Sequence, residues 1–157
     1  ETINSSTDEL FWDYGKGLIR VDAPRAQGAT GFFADYGPVE TGDLRFESEL
    51  ESGVFLCVPL DGQPLASSER MLLQVMSENR NAGKVTRNIG EGRMEIVRKG
   101  TPPMMVRELS GQVTFLQSGG KFRFTALDFN GYPTDDVQVG STFELRPNRM
   151  HYLIERL

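Results

Sequence analysis

A single histidine and a single cysteine set the outer limits of the chemistry open to this chain. Any serine–histidine–acid arrangement would have to use His151. That residue opens the stretch His151–Arg156, which reads as a final strand, so its reading is structural or surface. Cys57 lies in the apolar run VFLCVPL and reads as a buried thiol rather than a nucleophile. One His and one Cys do not make a transition-metal site. No GxSxG, HExxH, Walker or EF-hand pattern occurs, and GEGRM (Gly90–Met94) lacks the third glycine and the βαβ context of a dinucleotide fingerprint.

Carboxylates remain. Glycoside hydrolysis needs only two acids suitably spaced across a cleft. Asp128, Asp135 and Asp136 flank a turn-rich loop, and Glu47 and Glu49 share one strand face. With 22 acidic residues such pairs arise by chance, and they read as solvated polar faces. The loop DFNGYPTDD also offers the oxygen donors that calcium takes, so Asp128, Asp135 and Asp136 form the candidate structural calcium site, although the EF-hand order is missing. No other cofactor is expected.

Sugar recognition is the further option, since it places aromatic rings and a few polar groups around a shallow pocket. Trp12 is the only tryptophan, and in FWDY it points the same way as Tyr14; either that pair or Phe11 and Asp13 can face the core. Tyr36 in ADYGP and Tyr132 in NGYP stand beside turn residues and are stacking candidates by position. Asn79, Arg80 and Asn81 in ENRNAG could add polar contacts, or serve as turn residues. The candidate carbohydrate-binding set is therefore Trp12, Tyr36, Asn79, Arg80, Asn81 and Tyr132.

The elements that must position these residues are strands. In Asp43–Leu50, Leu44, Phe46, Ser48 and Leu50 alternate with Asp43, Arg45, Glu47 and Glu49, a period of two that turns one set to a core and the other to water. Lys121–Ala126 repeats the pattern, with Phe122, Phe124 and Ala126 inward. Val54–Leu60 and Met71–Met76 are nearly continuous apolar runs, read as central strands covered on both sides. Further strands are expected at Met94–Lys99, Pro103–Glu108, Gln112–Leu116, Thr142–Arg146 and His151–Arg156, with breaks at Asn81–Gly83, Gly90–Gly92, Gly100–Pro103, Ser118–Gly120 and Asn130–Pro133. This spacing predicts an all-β, antiparallel β-sandwich, jelly-roll or Ig-like Greek key, of about ten to twelve strands. Residues 1–9 are polar and aperiodic and read as a linker or lead-in segment; residues 10–157 form one module.

Composition narrows the partners. The net charge of −5 argues against nucleic acid, whose binders carry a basic excess. No apolar run approaches the ~20 residues that span a bilayer, so no membrane partner is expected. Neutral or weakly anionic glycans suit the balance.

The stretch LFWDYGKGLIRVDAPRAQGATGF resembles a segment of the C-terminal all-β accessory domain of large multimodular glycoside hydrolases, where it follows a TIM-barrel catalytic domain. The matching parts are Trp12-Asp13, the glycine turn Gly15–Gly17, the break Val21-Asp22-Ala23-Pro24, and Arg25–Phe32. Pro59–Gly83 and Phe124–Thr134 look similar too. These motifs mark strands and turns, so the resemblance carries over no ligand residue. It implies a non-catalytic module, partnered by the catalytic domain of its parent chain and secreted as part of a larger enzyme. A chain opening on Glu1 fits a piece of a longer protein. The expected function is tethering of the enzyme to a polysaccharide or oligosaccharide. The alternative is a brace for the catalytic barrel that binds no sugar, marked by an apolar patch without a groove. The third reading is a small β-sandwich lyase or glycosidase, which would require a cleft with paired acids.

Overall fold

The computed structural model describes residues 1–157 and consists almost entirely of antiparallel strands. The chain opens with β1 (Thr2–Asn4), β2 (Leu10–Asp13), β3 (Leu18–Ala23) and β4 (Ala26–Gly31). A four-residue helix, α1 (Phe33–Tyr36), leads to β5 (Val39–Glu40), β6 (Leu44–Glu47), β7 (Gly53–Pro59) and β8 (Arg70–Ser77). Next come β9 (Asn79–Ala82), β10 (Val85–Asn88), β11 (Met94–Arg98) and β12 (Thr101–Val106). The chain ends with β13 (Gln112–Phe115), β14 (Phe122–Leu127), β15 (Pro133–Gly140), β16 (Thr142–Glu144) and β17 (His151–Arg156). No helix is long and apolar enough to cross a membrane.

Nine strands form one sheet in the order β1-β2-β3-β4-β7-β8-β17-β14-β15, and four form a second in the order β16-β13-β6-β5. The two face each other across one core. Period-two alternation decides what enters it: Leu44 and Phe46 from β6, Val113 and Phe115 from β13, and Phe143 from β16 meet Phe55, Leu73, Phe122, Phe124 and Tyr152 of the large sheet. Phe46 lies 5.3 Å from Phe55, Phe115 stacks on Phe122 at 4.0 Å, and Phe124 stacks on Phe143 at 4.1 Å. These aromatic contacts join the sheets (apolar burial being the main term that offsets chain entropy).

There are 17 strands where ten to twelve were expected. The surplus comes from pieces too short to show a period, and from one interrupted ribbon. Residues 1–9 are not wholly lead-in: Thr2–Asn4 pairs with Phe11–Asp13 and extends the large sheet by an edge strand. β15 falls where a turn-rich loop was read; it begins at Pro133, a residue an edge strand tolerates because its missing N–H faces away from the ladder. Thr125, expected in water, is buried on the outer face, where its register partners are Leu153 and Val137.

β9 to β12 belong to neither sheet. They form a long hairpin ribbon in two segments, β9 with β12 and β10 with β11. Both strands break at the same level, at Gly83 and Gly100, whose φ values of +69° and +76° favour glycine. This bend divides the ribbon.

One end of the sandwich is closed by polar groups. Gln27 is buried; its Nε2 donates to Asp43 Oδ2 at 2.6 Å, and its Oε1 accepts from Thr41 Oγ1 at 2.8 Å and from the Asp43 backbone N–H at 2.9 Å. Gln117 Nε2 donates to the other Asp43 oxygen, and Arg156 Nη1 donates to Gln117 Oε1. Gln27→Leu would leave the part-buried Asp43 N–H without its acceptor and Asp43 Oδ2 without its amide donor, while the Thr41 hydroxyl keeps the Leu44 carbonyl. It is expected to cost roughly 1–3 kcal/mol, read as a lower urea midpoint at unchanged m-value. An unchanged midpoint would mean that the network is not closed in solution.

Candidate functional site

The outer face of the nine-stranded sheet is not the polar face that period-two alternation ordinarily leaves to water. One register row runs Ile3, Trp12, Ile19, Thr30, Val54, Met76 across six strands. Five of the six are large apolar side chains open to solvent, with Trp12 48% and Val54 42% exposed. The adjoining row carries Leu10, Val21, Gly28 and Leu56 before Gln74 and His151. Gly28 lets the backbones of β4 and β7 approach closely, since a Cβ there would overlap the Phe55 carbonyl oxygen. At ~4.8 Å per strand, the first row is about 24 Å wide.

This corrects one reading of the sequence. Val54–Leu60 and Met71–Met76 are central strands as expected, but only one side is covered. Phe55, Cys57, Met71, Leu73 and Val75 are buried in the core, whereas Val54 and Met76 face solvent and Leu56 and Leu72 are half-buried. Both faces are apolar, and the outer one is partly open to solvent.

The expected carbohydrate-binding residues stand at four separate places. Trp12 is in the apolar row, its ring 5.7 Å from that of Tyr14 at 65°, so the two rings cannot lie flat on one ligand plane. Tyr36 ends α1, packs partly against the core, and has Lys16 Nζ 5.5 Å from its ring centroid. Asn79, Arg80 and Asn81 form β9 at the base of the ribbon. Tyr132 is 68% exposed in the β14–β15 turn, at the far end of the strand order from Trp12. The structure does not gather these six around one pocket.

The three aspartates of the candidate calcium loop do not converge either. Asp128 Oδ1 accepts the backbone N–H groups of Asn130 and Tyr132, shaping the turn. Asp136 holds Arg146 through two hydrogen bonds of 2.8 and 3.0 Å. Asp135, one residue away on β15, points to the opposite face. No group of three or more His, Cys, Asp or Glu side chains is placed so that it could hold a metal ion.

A groove of about 750 Å³ lies at the end of the small sheet, between β6, β13 and β16 and the α1 region. Glu47, Gln112 and Glu144 share one register row on its floor. Gln112 Nε2 donates to Glu47 Oε2 at 2.6 Å, and Arg45 reaches Glu47 Oε1 at 2.5 Å. Glu47 is thus held by two partners. Glu49 also lines the groove, no Lys or Arg does, and its one aromatic, Phe33, is fully buried. The groove supplies acids and amides without a ring to stack on. His151 lies on the other sheet, paired in register with Gln74.

No known family, curated protein or solved structure matches this chain. Its surfaces therefore carry the functional argument. Of the residues missed in the sequence, Ile3, Ile19, Val54 and Met76, only Val54 and Met76 had a signal, their apolar runs without alternation. That signal tells of two apolar faces and not of what covers the second.

Proposed function

We propose that the chain is a non-catalytic β-sandwich module that works by docking, its outer sheet face bracing another domain of its parent chain. The observation that carries this reading is the apolar row Ile3–Trp12–Ile19–Val54–Met76. Contiguous apolar patches of this kind are uncommon on free-standing domains and mark surfaces that bury against a partner. None of the row's residues lines the groove at the end of the small sheet. Aliphatic side chains dominate it, which suits another protein better than a sugar, whose hydroxyls need amides and carboxylates around each ring. Together with the resemblance of Leu10–Phe32 to glycoside hydrolase accessory domains, the partner is the catalytic domain of a polysaccharide-degrading enzyme.

The second reading, carbohydrate binding, rests on the exposed Trp12 and Tyr14 rings at the end of the same row. One pair of measurements separates the two. Oxidative footprinting of Met76 in the isolated chain and in the chain joined to its catalytic domain is expected to show protection only in the latter. Affinity electrophoresis on a polysaccharide panel is expected to show no retardation. Retardation abolished by Trp12→Ala, with Met76 equally oxidised in both forms, would replace bracing by sugar binding.

A further inference from the structure

The ribbon Asn79–Val106 is a two-stranded hairpin of 28 residues with both faces open. Every residue of β10, β11 and β12 is exposed, including Val85, Met94, Ile96, Val97, Met104 and Met105. A two-stranded ribbon without a covering layer is marginal in water. Its charge is also at odds with the rest of the molecule. It holds six basic and two acidic residues, net +4 in a chain of net −5, which leaves −9 on the remainder. Arg87 pairs with Glu95 and Arg93 with Glu91, so Arg80, Lys84, Arg98 and Lys99 have no acidic partner. The last three flank the bend at Gly83 and Gly100.

The complementary surface is on the same molecule. The groove at the end of the small sheet is lined by Glu47, Glu49 and Glu144 and by no cation. Glu49 and Glu144 form no ion pair. The ribbon leaves the body at Glu78 and returns at Arg107, which bridges Glu78 and Glu51; two residues later Leu109 lines the groove. Arm base and groove are therefore neighbours, and no residue of the arm lines the groove of its own chain. Two copies related by a two-fold axis beside that junction can each lay an arm into the other's groove, the self-complementary arrangement of a closed dimer. An arm of 28 residues matches the roughly 20–30 residues a side of a standard interface.

We propose that the Asn79–Val106 arm docks on the acidic groove of a second copy of this chain, reciprocally. The aliphatic side chains of the ribbon are covered in that contact, while Lys84, Arg98 and Lys99 meet Glu49 and Glu144. The contact uses neither the outer sheet face nor Trp12, so it stands or falls separately from bracing.

Sedimentation equilibrium of the whole chain tests it. A dimer is expected at low salt, weakened at least tenfold in 1 M NaCl because rim charges are screened. The pair Lys84→Glu and Lys99→Glu, and separately the pair Glu49→Lys and Glu144→Lys, should each give monomers with unchanged circular dichroism. An equimolar mixture of the two reversed proteins should dimerise again, since each arm then meets a groove of opposite sign. A wild-type monomer throughout, or a dimer indifferent to these reversals, overturns the proposal. So does a dimer dissolved only by Ile19→Lys and Val54→Lys, which would place the contact on the outer sheet face. A monomer retarded by polyuronate, and released by the Lys84 and Lys99 reversals, would assign the arm to an acidic glycan instead.

Discussion

Phe124→Ala is expected to lower stability by about 3–5 kcal/mol, the largest effect of any single truncation proposed for this chain. Phe124 is almost wholly buried on β14. Its ring stacks on Phe143 of the opposite sheet at 4.1 Å and lies 6.0 Å from Phe115, also opposite, and 6.2 Å from its strand neighbour Phe122. Truncation removes apolar burial, leaves a ring-sized void between two sheets that cannot both collapse into it, and forfeits aromatic pairs worth roughly 0.5–1.5 kcal/mol each. For a domain of this size each kcal/mol lowers Tm by about 2–4 °C, so a fall on the order of 10 °C is expected in calorimetry. Phe129, exposed in the adjacent turn, is the control: Phe129→Ala should stay within ~0.5 kcal/mol. A Phe124→Ala protein less than ~1 kcal/mol weaker would mean that the sheets do not pack through these rings.

That core was legible in the sequence because a half-buried strand writes its burial as alternation. Leu44 and Phe46 against Arg45 and Glu47, and Phe122 and Phe124 against Arg123, are placed as the period of two requires, and β17 has the bounds expected for it. The ribbon was not legible as such. Asn79–Gly83 read as a loop because a strand exposed on both faces has no apolar side to mark its period, and Val85–Asn88 gave no signal for the same reason. Its partners, near Met94–Lys99 and Pro103–Glu108, were recognised by their aliphatic content, yet nothing local shows that they leave the body. The outer sheet face was half legible. Val54 and Met76 stand out as apolar, but whether a second apolar face is buried or open depends on which segments pack there, a tertiary fact. The groove, which brings together Glu47, Gln112 and Glu144 from three strands distant in the chain, has no sequence signature at all.

Alkaline pH should destabilise this protein through its one cysteine. Cys57 is on β7 with its side chain fully inside the core, and burial, aided by the nearby Asp43 carboxylate, pushes the thiol up to about 12. In the unfolded chain the thiol titrates near ~8.5–9. The folded state therefore holds its proton over a range in which the unfolded state has lost it. Stability is complete below about pH 9 and falls as pH rises toward about 12, by about 1.4 kcal/mol per unit and on the order of 4 kcal/mol across the window. Burial likewise raises the Tyr152 phenol, which adds a loss of the same sign, but only above the ordinary tyrosine range near ~10. Between pH ~9 and ~10 the cysteine acts nearly alone. Urea midpoints measured there should decline in the native sequence and stay level in Cys57→Ala, although that variant starts lower because of the small void it creates. The native thiol should also resist a disulfide reagent at pH 8 until denaturant is added. Equal slopes in the two proteins, or fast thiol labelling without denaturant, would place Cys57 in contact with water and remove the cause.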